Sequence, residues 1–97
     1  MIRVEFHEEA RQEYLDAVGH YRSERARAAS DFVAEVRSTV ARIVRRPLTG
    51  SPGEANTRRK YVRRFPYTII YIVSGELVQI VAVMHQRREP GYWTNRL

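Results

Sequence analysis

The spacing of apolar positions changes several times along the chain, and each change marks an element. Ile2, Val4 and Phe6 alternate with Arg3 and Glu5, which predicts a short strand with one face turned inward. From about residue 7 to 21 the period becomes helical. Ala10, Tyr14, Ala17, Val18 and Tyr21 share one stripe, while Glu8, Glu9, Arg11, Gln12, Glu13 and Asp16 fall largely outside it. Glu8 and Glu9 suit a first turn, where the helix dipole favours negative charge. A polar break at residues 22–25 precedes a second helical stripe of Ala29, Phe32, Val33, Val36, Val40 and Ile43. Arg45 and Arg46 suit its C-terminal end, and Pro47 stops it. Two such stripes imply an α-hairpin laid on a sheet.

Residues 47–57 are rich in Pro, Gly, Ser, Thr and Asn and read as a loop. Three strands follow, at about residues 59–65, 67–73 and 77–84, the last two joined tightly through Ser74-Gly75-Glu76 as a hairpin. Tyr67 to Val73 is nearly all β-branched or aromatic, as a central strand requires. Val78 to Met84 is apolar at both parities apart from Gln79, so it reads as a strand buried on both faces. Pro66 cannot donate to a ladder and is expected at a bend or bulge. Arg63 and Arg64 fall inside the first of these strands and are expected on its opposite faces. The order β-α-α-β-β-β predicts an α+β fold: an N-terminal α-hairpin packed on a mostly antiparallel four-stranded sheet, in one domain over residues 1–97.

Charge adds an asymmetry. The net charge is +6, of which residues 54–97 carry +5: eight basic residues against Glu54, Glu76 and Glu89. Such an excess favours an anionic partner, either nucleic acid or an acidic protein. The absence of cysteine excludes a disulfide framework, a thiolate nucleophile and a Cys-based zinc site. His7, His20 and His85 have no paired metal spacing, so neither metal nor cofactor is expected. The alternating N-terminus contains no signal-peptide core, and no run is long enough to cross a membrane, so a cytoplasmic location is expected.

The buried last strand delivers a chemically rich segment, His85 to Leu97, with His85, Arg87, Arg88, Tyr92, Trp93 and Arg96 within thirteen residues. His85 is of the residue type most often used as a general acid or base. Arginines suit phosphate or carboxylate, and Tyr92 or Trp93 suits stacking on a base. The competing structural roles are a strand-end His85 bonded to the Pro66 bend or the tail, a Trp93 folded back as an anchor, and an Arg96 paired with an acid.

Three segments resemble the RelE/ParE superfamily of bacterial toxins from type II toxin–antitoxin modules. Ala10 to Tyr21 is similar to the family opening A-x-x-E-x-x-x-A-x-x-x-Y. Val62 to Tyr71 is similar to V-x-x-F/Y-P-Y-x-I-x-Y, and Val83 to Arg96 to V-x-H-x-x-R-x-P-x-x-W-x-x-R. The resemblance implies a cognate antitoxin as partner. It also implies one of two targets: DNA gyrase for ParE-like members, or mRNA in the ribosomal A site for RelE-like endoribonucleases. Thr68 stands where nuclease members often carry a basic residue, and the Phe65-Pro66-Tyr67 and His85–Trp93 patterns lean toward the ParE-like branch. On that reading Arg63, Arg64, Arg87, Arg88, Trp93 and Arg96 are candidates for binding target or antitoxin. On the nuclease reading His85, Arg64, Arg88 and Tyr92 are the catalytic candidates.

Overall fold

The computed structural model describes residues Met1–Leu97. Strand β1 (Arg3–Phe6) leads into α1 (Glu8–Glu24) and α2 (Ala26–Arg45), followed by β2 (Ser51–Pro52), β3 (Arg58–Tyr61), β4 (Tyr67–Ser74) and β5 (Leu77–His85). The strands form one five-stranded sheet in the order β1-β5-β4-β3-β2. Strand β1 lies parallel to β5, and every other pair is antiparallel. The expected α-hairpin and hairpin strands are all present. The fifth strand is the two-residue β2, in which Ser51 and Pro52 pair with Arg59 and Arg58. A proline-containing, glycine-flanked segment carries no strand signal of its own, which is why it reads as loop.

The helices depart from expectation only at their joint. The polar break shrinks to Arg25 alone, extended at φ −171° and ψ 150°, and α1 continues to Glu24. His7 caps α1, its Nδ1 accepting from the Glu9 N–H at 3.1 Å.

A second departure matters more for function. Strand β3 ends at Tyr61, and Arg63 and Arg64 lie in the turn that follows, so the expectation that they occupy opposite faces of one strand is corrected. The Val62 N–H donates to the Tyr67 carbonyl at 2.9 Å and closes that turn, and Arg64 adopts a left-handed backbone at φ 70°. Pro66 sits at the bend, as its missing N–H requires.

The sheet is covered on both faces. Tyr67, Ile69, Tyr71, Val78, Ile80 and Val83 point to the helices and pack with Ala10, Ala17, Phe32, Val36 and Ile43. Around Phe32 the rings of Tyr21, Phe65 and Tyr67 lie at centroid distances of 5.1, 5.2 and 5.2 Å, pairs that add about 0.5–1.5 kcal/mol each beyond burial. The other face holds Ile70, Val81 and Ala82 beneath the indole of Trp93. A bulge makes this possible. Ile70 pairs with Ala82 but Tyr71 pairs with Ile80, so Val81 is an extra residue in β5. Val81 and Ala82 consequently both face the tail, and the small Ala82 is fully buried beneath it.

Candidate target-binding site

The C-terminal tail is held by one carboxylate. Strand β1 ends opposite Ile80, and beyond that point two backbone groups of β5 are taken by side chains. The Val83 N–H donates to Glu13 Oε1 at 3.0 Å, and the Val81 carbonyl accepts from Arg96 Nη1 at 3.0 Å. Arg96 also grips Glu13 through two bonds of 2.9 Å, one to each carboxylate oxygen. The Tyr92 hydroxyl donates to Glu13 Oε2 at 2.7 Å. Arg96 Nε, itself buried, lies 3.4 Å from Glu9 without hydrogen-bond geometry.

These contacts perturb each other. Burial pushes the Glu13 carboxyl upward, but the Arg96 guanidinium, the Tyr92 hydroxyl and the Val83 N–H outweigh it and hold the group below the usual range. Burial and the neighbouring Glu13 charge push the Tyr92 phenol far above its ordinary value. The hydrogen bond to Glu13 raises the Arg96 guanidinium further. All three groups keep one charge state across the physiological range.

Sequence reading placed Glu13 largely on the outer side of α1; the fold makes it the anchor of the tail. The signal was present in its spacing. Three residues after Ala10 and four before Ala17, both buried, it shares their side of the helix.

The tail leaves an open cleft of about 220 Å³ between α1 and the end of β5, whose walls include Glu13, Asp16, His20, His85, Arg88 and Tyr92. His85 stands edge-on to Tyr67 at 5.1 Å, and its Nδ1 accepts from the Arg87 N–H at 3.1 Å. The Gln86 N–H meanwhile donates to the Pro66 carbonyl at 2.9 Å, so the strand end is tied to the bend through its backbone. The Arg88 guanidinium lies 3.8 Å over the Tyr92 ring, a cation–π contact.

The candidate residues therefore separate. His85, Arg88 and Tyr92 come together at the cleft. Arg64 does not join them, lying 3.7 Å from Asp31 and 3.8 Å from Glu35 on α2. Arg63 and Arg87 are exposed. Trp93, 2% exposed, and Arg96, with 6% of its side chain exposed, are turned inward and cannot touch a partner while the tail is docked.

An α-hairpin on one face of a mixed sheet and an anchored cationic tail on the other define a small α+β protein. In fold the chain is similar to a solved structure described as "Chromosomal ParDE TA system from P. aeruginosa", with a TM-score of 0.75 at 20% identity, covering 88% of this chain and 96% of that one. Residues 4–90 match the family described as "ParE toxin of type II toxin-antitoxin system, parDE", and the chain belongs to that family. No curated protein matches it. No helix is long and apolar enough to cross a membrane.

Proposed function

We propose that this ParE-family toxin inhibits growth by binding DNA gyrase through the exposed cations of its C-terminal segment, and that a cognate antitoxin neutralises it. The observation that carries this reading is the division of labour in the tail. Trp93 and Arg96 are spent on anchoring, while Arg87 and Arg88 are held outward on a fixed support. Cations on a preorganised surface bind an acidic protein patch at lower ordering cost than a free tail does. The antitoxin is expected to supply an acidic, amphipathic segment that crosses the helix pair and the basic sheet surface. Apolar side chains suited to its inner face are found there: the buried Val18 and Ala29 and the half-buried Val33 floor a groove on the helix pair, and Phe6 and Leu15 are 37% and 47% exposed.

Ribosome-dependent RNA cleavage is the second reading, favoured by the convergence of His85 and Arg88 on one cleft. Three observations weigh against it. Glu13 and Asp16 also line that cleft and repel a phosphodiester; the Tyr92 hydroxyl already donates its one hydrogen bond to Glu13; and Thr68 is a buried neutral residue on the middle strand.

The test is the double variant Arg87→Ala/Arg88→Ala in a gyrase supercoiling assay and in controlled expression. Gyrase inhibition and toxicity should both fall, while stability changes by at most about 1 kcal/mol, the share of the Arg88–Tyr92 contact. Full gyrase inhibition by the folded double variant would refute the proposed surface. His85→Ala separates the two readings. A general acid or base contributes about 10²–10⁴-fold in rate, so RNA cleavage that collapses in a well-folded His85→Ala protein would establish the nuclease.

A further inference from the structure

Two adjoining depressions of about 550 and 350 Å³ lie where the C-terminal end of α2 meets β3. Six cations line them: Arg42, Arg45, Arg46, Arg59, Lys60 and Arg63. The depressions share Arg42, Thr49 and Lys60, so they form one continuous groove, and it has no lining residue in common with the cleft at the tail. None of the six cations takes part in an ion pair; the protein's arginine–carboxylate pairs involve Arg3, Arg64 and Arg96 only. Arg58, by contrast, is used internally, donating to the Leu48 and Gly50 carbonyls at 2.9 and 3.0 Å to fix the loop below the groove. The α2 dipole accounts for cations in its last turn but not for the strand residues Arg59 and Lys60 or the turn residue Arg63. Six like charges held together without counter-charges are mutually repulsive and call for an external polyanion.

The lining decides which polyanion. Tyr61 is the only apolar or aromatic side chain in the groove. Protein interfaces draw their affinity from buried apolar and aromatic anchors, and those are missing here. Single-stranded nucleic acid binds by stacking successive bases on several aromatics, and one exposed tyrosine cannot supply that. What remains is regular phosphate spacing met by arginine forks and the Lys60 ammonium. We propose that this groove binds the sugar–phosphate backbone of duplex DNA, without sequence readout, as a second surface separate from the tail. This goes beyond the proposed gyrase binding and does not depend on it.

The experiment is fluorescence anisotropy of a short mixed-sequence duplex titrated with the purified full chain between about 50 and 200 mM salt. Counterion release contributes about −0.9 to the slope of log K against log salt per phosphate engaged, so the wild-type slope should lie between about −3 and −5. The variant Arg45→Gln/Arg46→Gln/Lys60→Gln should reduce that slope by about 2–3 and weaken binding at least tenfold at the lowest salt. The variant Arg11→Gln/Arg27→Gln/Arg37→Gln makes the same change in net charge on exposed helix positions outside the groove, and it should bind nearly as well as wild type. A wild-type slope shallower than about −2 would overturn the proposal whether or not any variant folds. Equal losses in both triple variants would reduce the effect to net charge. Tighter binding of single-stranded RNA or of an acidic peptide than of duplex would transfer the groove to that ligand.

Discussion

Replacing Glu13 by glutamine should cost this small protein much of its stability, although the shape of the side chain barely changes. The carboxylate accepts four hydrogen bonds, two from Arg96, one from Tyr92 and one from the Val83 N–H. The guanidinium it neutralises has only 6% of its side chain exposed. Glutamine carries no charge and turns an N–H₂ group toward donors, so Arg96 is left buried beside one solvent-exposed carboxylate, Glu9 at 3.4 Å. Removing one partner of a buried pair costs about 3–5 kcal/mol, less whatever Arg96 regains by swinging into solvent. At about 4–8 °C per kcal/mol for a domain of this size, a loss of roughly 3 kcal/mol lowers the melting temperature by about 12–24 °C.

Urea denaturation of Glu13→Gln, Arg96→Met and the double variant completes a cycle in which the coupling should reach about 2 kcal/mol, because the two side chains are in direct contact. The sign of the pH dependence is fixed by the lowered pKa of Glu13. Its stabilisation is fully present above the unfolded glutamate value of about 4.3 and is lost as pH falls through the lower folded value. The gap between wild type and Glu13→Gln should therefore narrow below about pH 4. A cost under about 1 kcal/mol at neutral pH, or a gap that widens on acidification, would refute the anchoring role.

Trp93→Ala should cost about 3–5 kcal/mol in chemical denaturation and raise binding of a hydrophobic dye, since it uncovers Ile70, Val81 and Ala82. Gly50→Ala should destabilise by at least about 1 kcal/mol, because an added methyl meets the Tyr71 hydroxyl, which itself donates to the Pro47 carbonyl at 2.6 Å. An alanine variant with wild-type stability would show that Tyr71 can shift without losing that bond. Co-purification with the product of an adjacent antitoxin gene should yield a complex whose association slows with salt, and its absence would remove the basis for neutralisation.

Local pattern carried the two helices, the β4–β5 hairpin and the doubly buried β5, because each depends on a period that short stretches of chain display. The bend at Pro66 was equally legible, since a missing N–H acts on its own neighbours. Three features depended on residues far apart in the chain. Strand β2 exists only because β3 folds back beside Ser51 and Pro52. Glu13 looks like one more solvated acid until the tail, some eighty positions later, brings Arg96 and Tyr92 to it. The bulge at Val81 shows itself only in the register with β4, yet it sets which side of β5 meets Trp93. The sequence by itself settled the family and the order of every element except β2, through periodicity and motif spacing. Tertiary structure alone decided which cations are anchors and which are free, because burial and ion pairing are properties of side chains brought together across the fold.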